Sequence, residues 1–141
     1  MQIGVIGAGQ MGAGIAQVSA QAGFQVFLSD VDLARAEAGK VGIAKQLARA
    51  VDKGKLDEAA RDTALANIAP VGEVEAMAPA ALVIEAATER EEVKRAIFKT
   101  VGAVLSVVDR AEILVKGSLV WSGRPEALRA DPELMQRHLG V

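Results

Sequence analysis

Near its start the chain reads Gln2-Ile3-Gly4-Val5-Ile6-Gly7-Ala8-Gly9-Gln10-Met11-Gly12, an apolar run that breaks into glycines spaced G-x-G-x-x-G. Gln2 to Ile6 suits a short strand buried in a parallel sheet. Gly12 to Ala22 has helical spacing, with Ile15, Ala16, Ser19 and Ala20 on one face and Gly23 as its stop. Gln25 to Ser29 is a second apolar strand, closed by Asp30. A glycine-rich turn between strand and helix, with an acid ending the next strand, is the setting in which this spacing carries meaning. Gly7 makes the tight turn, Gly9 lets backbone approach a pyrophosphate, and Gly12 lets the helix lie close on the strand. The free amides and positive dipole end of that helix then face the phosphates. Asp30 would accept hydrogen bonds from a ribose hydroxyl and repel a 2′-phosphate, so NAD is favoured over NADP. FAD and S-adenosylmethionine use the same kind of turn and remain alternatives here. So does a bare scaffold, in which the glycines only tighten a βα connection and Asp30 only caps a strand.

The pattern continues outward. Asp32 can cap a long helix to about Lys53, with Leu33, Ala36, Ile43, Leu47 and Val51 as its apolar stripe. Gly54 ends it, and Asp57 can cap a second helix to Asn67, giving a helical hairpin. Ile68 to Val71 is a weak strand and Ala80 to Glu85 a strong one. Glu91 to Leu105 reads as a helix and Ala111 to Val115 as a further buried strand. Gly117-Ser118 between two β-runs predicts a type II′ hairpin leading into Leu119-Val120-Trp121. Pro125 and Pro132 suit first helical turns, the second after a capping Asp131. Alternating strands and helices imply one α/β domain over residues 1–141. The predicted fold is a three-layer, Rossmann-like, doubly wound and mostly parallel sheet with a C-terminal antiparallel edge hairpin.

Composition narrows the function classes. The 141 residues are 51% hydrophobic and 24% charged, too apolar for a disordered chain. A net charge of −2 argues against nucleic acid or an anionic membrane as partner. With no cysteine there is no disulfide, thiolate nucleophile or Cys-ligated metal, which suits the cytoplasm. Ile3 to Leu28 is uncharged, yet it holds four glutamines and several glycines, and the first cationic residue is Arg35. Neither a signal peptide nor a membrane span is expected there. No His/Asp/Glu cluster suggests a metal site.

Gly4-Val5-Ile6-Gly7-Ala8-Gly9-Gln10-Met11-Gly12-Ala13-Gly14-Ile15-Ala16 resembles the start of 3-hydroxyacyl-CoA dehydrogenases. Val83-Ile84-Glu85-Ala86-Ala87-Thr88-Glu89, followed by Val93-Lys94, is similar to a second segment of that family. The resemblance covers residues 1 to about 105 and implies an NAD-binding domain. It implies that Ala86, Glu89 and Lys94 approach the nicotinamide side of the cofactor. It also implies that the helical hairpin leans toward coenzyme A, where Lys45, Arg49 and Lys53 line one helix side; a solvated basic face is the plainer account.

The family's Asn-Thr-Ser-Ser stretch, its His-x-x-Asn-Pro context, the glutamate beside that histidine and its helical substrate domain have no match in these residues. From Ser106 onward, Asp109-Arg110-Ala111-Glu112-Ile113-Leu114-Val115-Lys116-Gly117 and the ending Ala130-Asp131-Pro132-Glu133 resemble ABC-transporter ATPases of the branched-chain amino-acid uptake type. The combination suggests an engineered chimera joined near Leu105, with Glu112 to Val115 pairing beside Leu82 to Glu85 and the hairpin shielding the new edge. No phosphate-wrapping GxxxxGK[ST] accompanies the tail, so ATP hydrolysis is excluded. His138, the single histidine, reads as a surface residue, Ser118 as a turn residue and Trp121 as an edge-strand core residue. The expectation is therefore an NAD-binding domain that is not itself an enzyme, with no catalytic residue, no metal and no obligate protein partner; the alternatives are a folded scaffold that binds no ligand and a fragment of a 3-hydroxyacyl-CoA dehydrogenase. Its expected cofactor contacts are Gly7, Ala8, Gly9, Gln10, Met11, Gly12, Asp30, Ala86, Glu89 and Lys94.

Overall fold

The computed structural model describes residues 1–86, 108–115 and 118–139. The chain divides into two compact units, Met1–Thr88 and Glu89–Val141.

In the first unit, β1 (Gln2–Ile6), β2 (Gln25–Ser29), β3 (Ile68–Val71) and β4 (Leu82–Glu85) form one sheet in the order β3-β2-β1-β4. Every pairing is parallel, with Val5 opposite both Leu28 and Ile84, and Val26 opposite Ile68. Parallel neighbours cannot be joined by tight turns, so helices make the crossovers. α1 (Gln10–Gln21) joins β1 to β2, and α2 (Leu33–Asp52) with α3 (Glu58–Ala66) joins β2 to β3. Pro70 cannot donate to a ladder on both sides, and β3 is accordingly an edge strand. The core gathers Ile3, Val5, Val26, Leu28 and Ile68 from the sheet, Ala16 and Ala20 from α1, Ile43 and Leu47 from α2, and Ala64 from α3. Fully burying a side chain such as Leu47 contributes about 1.5–3 kcal/mol.

Local chemistry fixes the element ends. Asp32 Oδ1 accepts the Arg35 amide at 2.7 Å and caps α2. Gly54, with φ at 66°, follows the end of that helix. Asp57 holds the N-cap position of α3, but its side chain accepts no capping bond. α1 begins at Gln10, two residues before the expected Gly12, because Gly12 is already a packed helical residue. β4 begins at Leu82 instead of Ala80, since the Ala80 amide turns back to Met77 O at 2.8 Å. Met77 closes a short 3₁₀ turn, Val74–Met77, and is fully buried.

The second unit contains β5 (Ala111–Val115), β6 (Ser118–Gly123), α4 (Pro125–Arg129) and α5 (Pro132–Leu139). β5 and β6 pair antiparallel in a two-stranded sheet of their own. Val115 lies opposite Ser118, so Ser118 is a strand residue and not half of the turn. The register shifts between Ile113 and Leu114, which leaves Val120 as an extra residue on β6. Ile113 and Leu128 form a small core with Val108, Ala111, Trp121 and Leu134 around them. Asp131 Oδ1 accepts the Leu134 amide at 2.9 Å, the expected cap of α5. The helix expected over residues 91–105 lies outside the described residues.

The architecture is a Rossmann-like α/β fold: a parallel central sheet with flanking helices, plus a small antiparallel hairpin. Among the described residues no helix is long and apolar enough to cross a membrane.

Candidate functional site

The chain reaches β3 at one edge of the sheet and then returns to place β4 beside β1. Strand order reverses between β1 and β4, and the carboxyl ends of strands at such a reversal are where open α/β sheets bind ligands. The glycine turn leaves the carboxyl end of β1 at this point. Ala86, just after β4, donates its amide to Ile6 O at 2.8 Å and so borders the same mouth.

Each glycine of the turn has a separate physical reason. Gly7 has φ at 97°, a conformation that strains any side chain, and its amide donates to Ser29 O at 2.8 Å. A Cβ on Gly12 would overlap the carbonyl group of Gly7, so the first turn of α1 lies directly on the end of β1. Gly9 differs from both. Its φ of −69° and ψ of −171° are open to any residue, and a Cβ there would meet nothing within 4 Å. Neither backbone strain nor packing within the described residues calls for glycine, which leaves open space in front of the helix. Gly9 is the N-cap of α1, no side chain caps that end, and the first ladder bond runs from the Ala13 amide to Gly9 O at 2.8 Å. The early amides of α1 thus have no side-chain acceptor, the arrangement that receives an anion at a helix start. Gln10 and Met11 are exposed beside it.

Asp30 closes the other side. Its Oδ2 accepts the Ala8 amide at 2.6 Å and its Oδ1 accepts the Val31 amide at 2.8 Å. A carboxylate offers about four lone-pair directions, so both oxygens retain acceptor capacity for a diol. The sequence pattern gives Asp30 a ribose contact or a strand cap, and does not disclose its bond to the turn. Gly39 was missed as well: a Cβ there would lie 2.6 Å from the Ala8 Cβ. A glycine inside a long helix costs about 1 kcal/mol against alanine, and that unexplained cost was the available signal.

These residues fit a dinucleotide: open backbone amides for a diphosphate, a half-buried carboxylate for a ribose, and no Cβ in the approach path. Glu89 and Lys94 lie outside the described residues. Lys45, Arg49 and Lys53 are exposed. Lys40, on the same helix, donates to Ile68 O at 2.6 Å and steadies the edge strand. The described residues hold no group of three metal-ligating side chains. Arg61 and Asp62, paired at 2.8 Å on α3, titrate away from ordinary values: the hydrogen bond from Arg61 lowers the Asp62 carboxyl, and Asp62 raises Arg61.

The family model for the NAD-binding domain of 3-hydroxyacyl-CoA dehydrogenases matches residues 2–113. The chain belongs to this family. The cofactor of the family is NAD, which removes FAD and S-adenosylmethionine as alternatives. A 3-hydroxybutyryl-CoA dehydrogenase of Bradyrhizobium diazoefficiens is 43% identical over 130 residues, covering 89% of this chain and 44% of that protein. A probable 3-hydroxybutyryl-CoA dehydrogenase of Bacillus subtilis is 44% identical over 103 residues, covering 73% of this chain and 36% of that protein. The crystal structure of (S)-3-hydroxybutyryl-CoA dehydrogenase PaaH1 from Ralstonia eutropha superposes with a TM-score of 0.67 at 36% identity, covering 76% of this chain and 37% of that one. The chain thus spans under half the length of these relatives.

Two expectations change. The family match continues past Leu105 to residue 113, so the dehydrogenase likeness includes most of β5. The expectation of a non-enzyme is overturned, because the similar proteins are named as dehydrogenases. It had rested on a histidine motif missing from a stretch that spans under half of those relatives, and such an absence carries no weight.

Proposed function

We propose that this chain supplies the NAD-binding part of a dehydrogenase acting on 3-hydroxyacyl-CoA substrates of the 3-hydroxybutyryl type. The single observation that supports this most is the open approach at Gly9, at the uncapped start of α1, with the Asp30 carboxylate held at the same turn. The amides of Gln10, Met11 and Gly12 would bind the diphosphate. Asp30 would accept from the adenosine ribose and disfavour a 2′-phosphate by like-charge repulsion. Gly7 and Gly12 hold the turn and helix in that position, and Ala86 would line the nicotinamide end, with Glu89 and Lys94 following. When bound, NAD supplies the hydride acceptor for oxidation of a secondary alcohol. The chain orients that acceptor. The residues that hold the acyl group and move the hydroxyl proton are assigned to the part of the family's length outside these residues. Lys45, Arg49 and Lys53 would attract the phosphates of coenzyme A. A cytoplasmic location and the absence of nucleic-acid, membrane or obligate protein partners belong to the same proposal.

The likeness of residues 106–141 to an ATPase segment, and with it a chimeric origin, rests on the residues of that tail.

Calorimetric titration with NAD and NADP tests the cofactor assignment. Saturable binding of NAD, weaker binding of NADP, and loss of the NAD signal in Asp30→Ala are expected. Equal affinity for both cofactors, undisturbed by Asp30→Ala, would reject it.

A further inference from the structure

Two helical glycines of α2 differ sharply in their surroundings. A Cβ on Gly42 would meet nothing within 4 Å. A Cβ on Gly39 would lie 2.6 Å from the Ala8 Cβ, 3.1 Å from the Ala8 carbonyl oxygen and 3.4 Å from Leu28 Cδ2. Real side chains do not approach to the first of these distances, and neither Ala8 atom is the free end of a flexible side chain. Ala8 is a single methyl on the turn between Gly7 and Gly9, so relief requires the turn itself to move. Ala8 is also the residue whose amide donates to Asp30 Oδ2 at 2.6 Å. Gly39, Ala8 and Asp30 are therefore a chain of direct contacts from the second crossover helix to the glycine turn and its acid.

We infer that Gly39 is a positioning residue for the cofactor: its missing Cβ sets how deeply the Ala8 turn seats against α2, and thereby where the Asp30 carboxylate and the α1 amides stand. The inference rests on the NAD-binding reading above. Helix propensity alone treats the two glycines alike, since Gly→Ala at either position favours the helix. Positioning separates them. At Gly39 the added methyl pushes Ala8 outward into the path of the diphosphate and strains the bond to Asp30. At Gly42 it enters open space.

The test titrates the full chain and its variants with NAD, at a temperature where circular dichroism shows each to be folded. Gly39→Ala is expected to raise Kd about tenfold or more, as small misplacements of binding groups do. Gly42→Ala is expected to leave Kd unchanged. The double variant Gly39→Ala/Ala8→Gly, which removes the methyl that the new Cβ meets, is expected to regain most of the lost affinity. If Gly39→Ala does not fold, Ala8→Val enlarges the same contact from the turn's side and carries the same expected loss. Wild-type affinity in folded Gly39→Ala, or in Ala8→Val where that variant stands in, overturns the positioning role and leaves the cofactor assignment intact. An equal loss in Gly42→Ala would assign the effect to the helix at large and overturn it too. No binding by the wild-type chain overturns both.

Discussion

The amide of Ala8 donates to Oδ2 of Asp30 across 2.6 Å, tying the glycine turn after β1 to the acid after β2. One carboxylate therefore shapes the glycine turn, and under the proposed function it would also present acceptors to the ribose while the turn receives the diphosphate. A hydrogen bond to a charged group contributes about 1.5–3 kcal/mol. Asp30→Asn keeps one oxygen acceptor and loses the charge. It is expected to lower thermal stability modestly and to weaken NAD binding by about ten- to a hundredfold, the equivalent of that energy. Binding of NADP should fall less, because the repulsion of its 2′-phosphate goes too. Parallel titrations of the variant with both cofactors measure this.

Gly9 and Gly12 should separate binding from folding. Gly9→Ala adds a methyl in open space at an ordinary φ of −69°, so its melting temperature should match the wild type while NAD binding is lost. Gly12→Ala places a methyl on the Gly7 carbonyl and should destabilise the fold by about 3 kcal/mol or prevent folding, as overpacking does. Thermal melts beside titrations distinguish the two.

Leu47 is fully buried on α2 against the sheet. Leu47→Ala should cost about 2–5 kcal/mol, the range for truncating a packed leucine. Chemical denaturation followed by circular dichroism checks the magnitude. A loss below 1 kcal/mol would mean that the long helix is not seated on the core as described.

Trp121 is the single tryptophan and packs beside Ile113 and Leu128, so its emission reports on the second unit. Asp131→Ala removes the side-chain acceptor at the start of α5 and should cost about 1 kcal/mol there. The unfolding midpoint seen by Trp121 fluorescence should fall accordingly.

The Arg61–Asp62 pair gives a test on pH. Its hydrogen bond lowers the Asp62 carboxyl in the folded chain. The associated stability is present above the ordinary carboxyl value of about 3.9 and is lost as pH falls through the lowered folded value. Asp62 is exposed, and exposed pairs contribute little. Asp62→Asn should therefore leave the melting temperature at pH 7 unchanged within error, with any small difference disappearing in acid.

Much of the first unit was legible because its signals are local. Apolar runs closed by glycine or aspartate fixed β1 and β2, and the stripe through Ala36, Ile43 and Leu47 fixed α2. The family's cofactor was legible because the glycine spacing falls between a strand and a helix. Contacts between residues far apart in the chain were not. The Ala8–Asp30 bond and the Gly39–Ala8 approach each depend on how two crossovers pack, which no local pattern encodes. Activity is not legible from a missing motif, because the chain spans under half of its relatives.

The central claim is that amides at the start of α1, with Asp30, receive the diphosphate and ribose of NAD. Amide-resolved NMR spectra of the chain titrated with NAD test it most directly. Saturable shifts concentrated at Ala8, Gly9, Gln10, Met11 and Val31, and missing from Gly9→Ala, are the result this account predicts. Spectra that stay unchanged up to about millimolar cofactor, the weak end of specific affinity, would contradict it, as would shifts confined to residues 108–139.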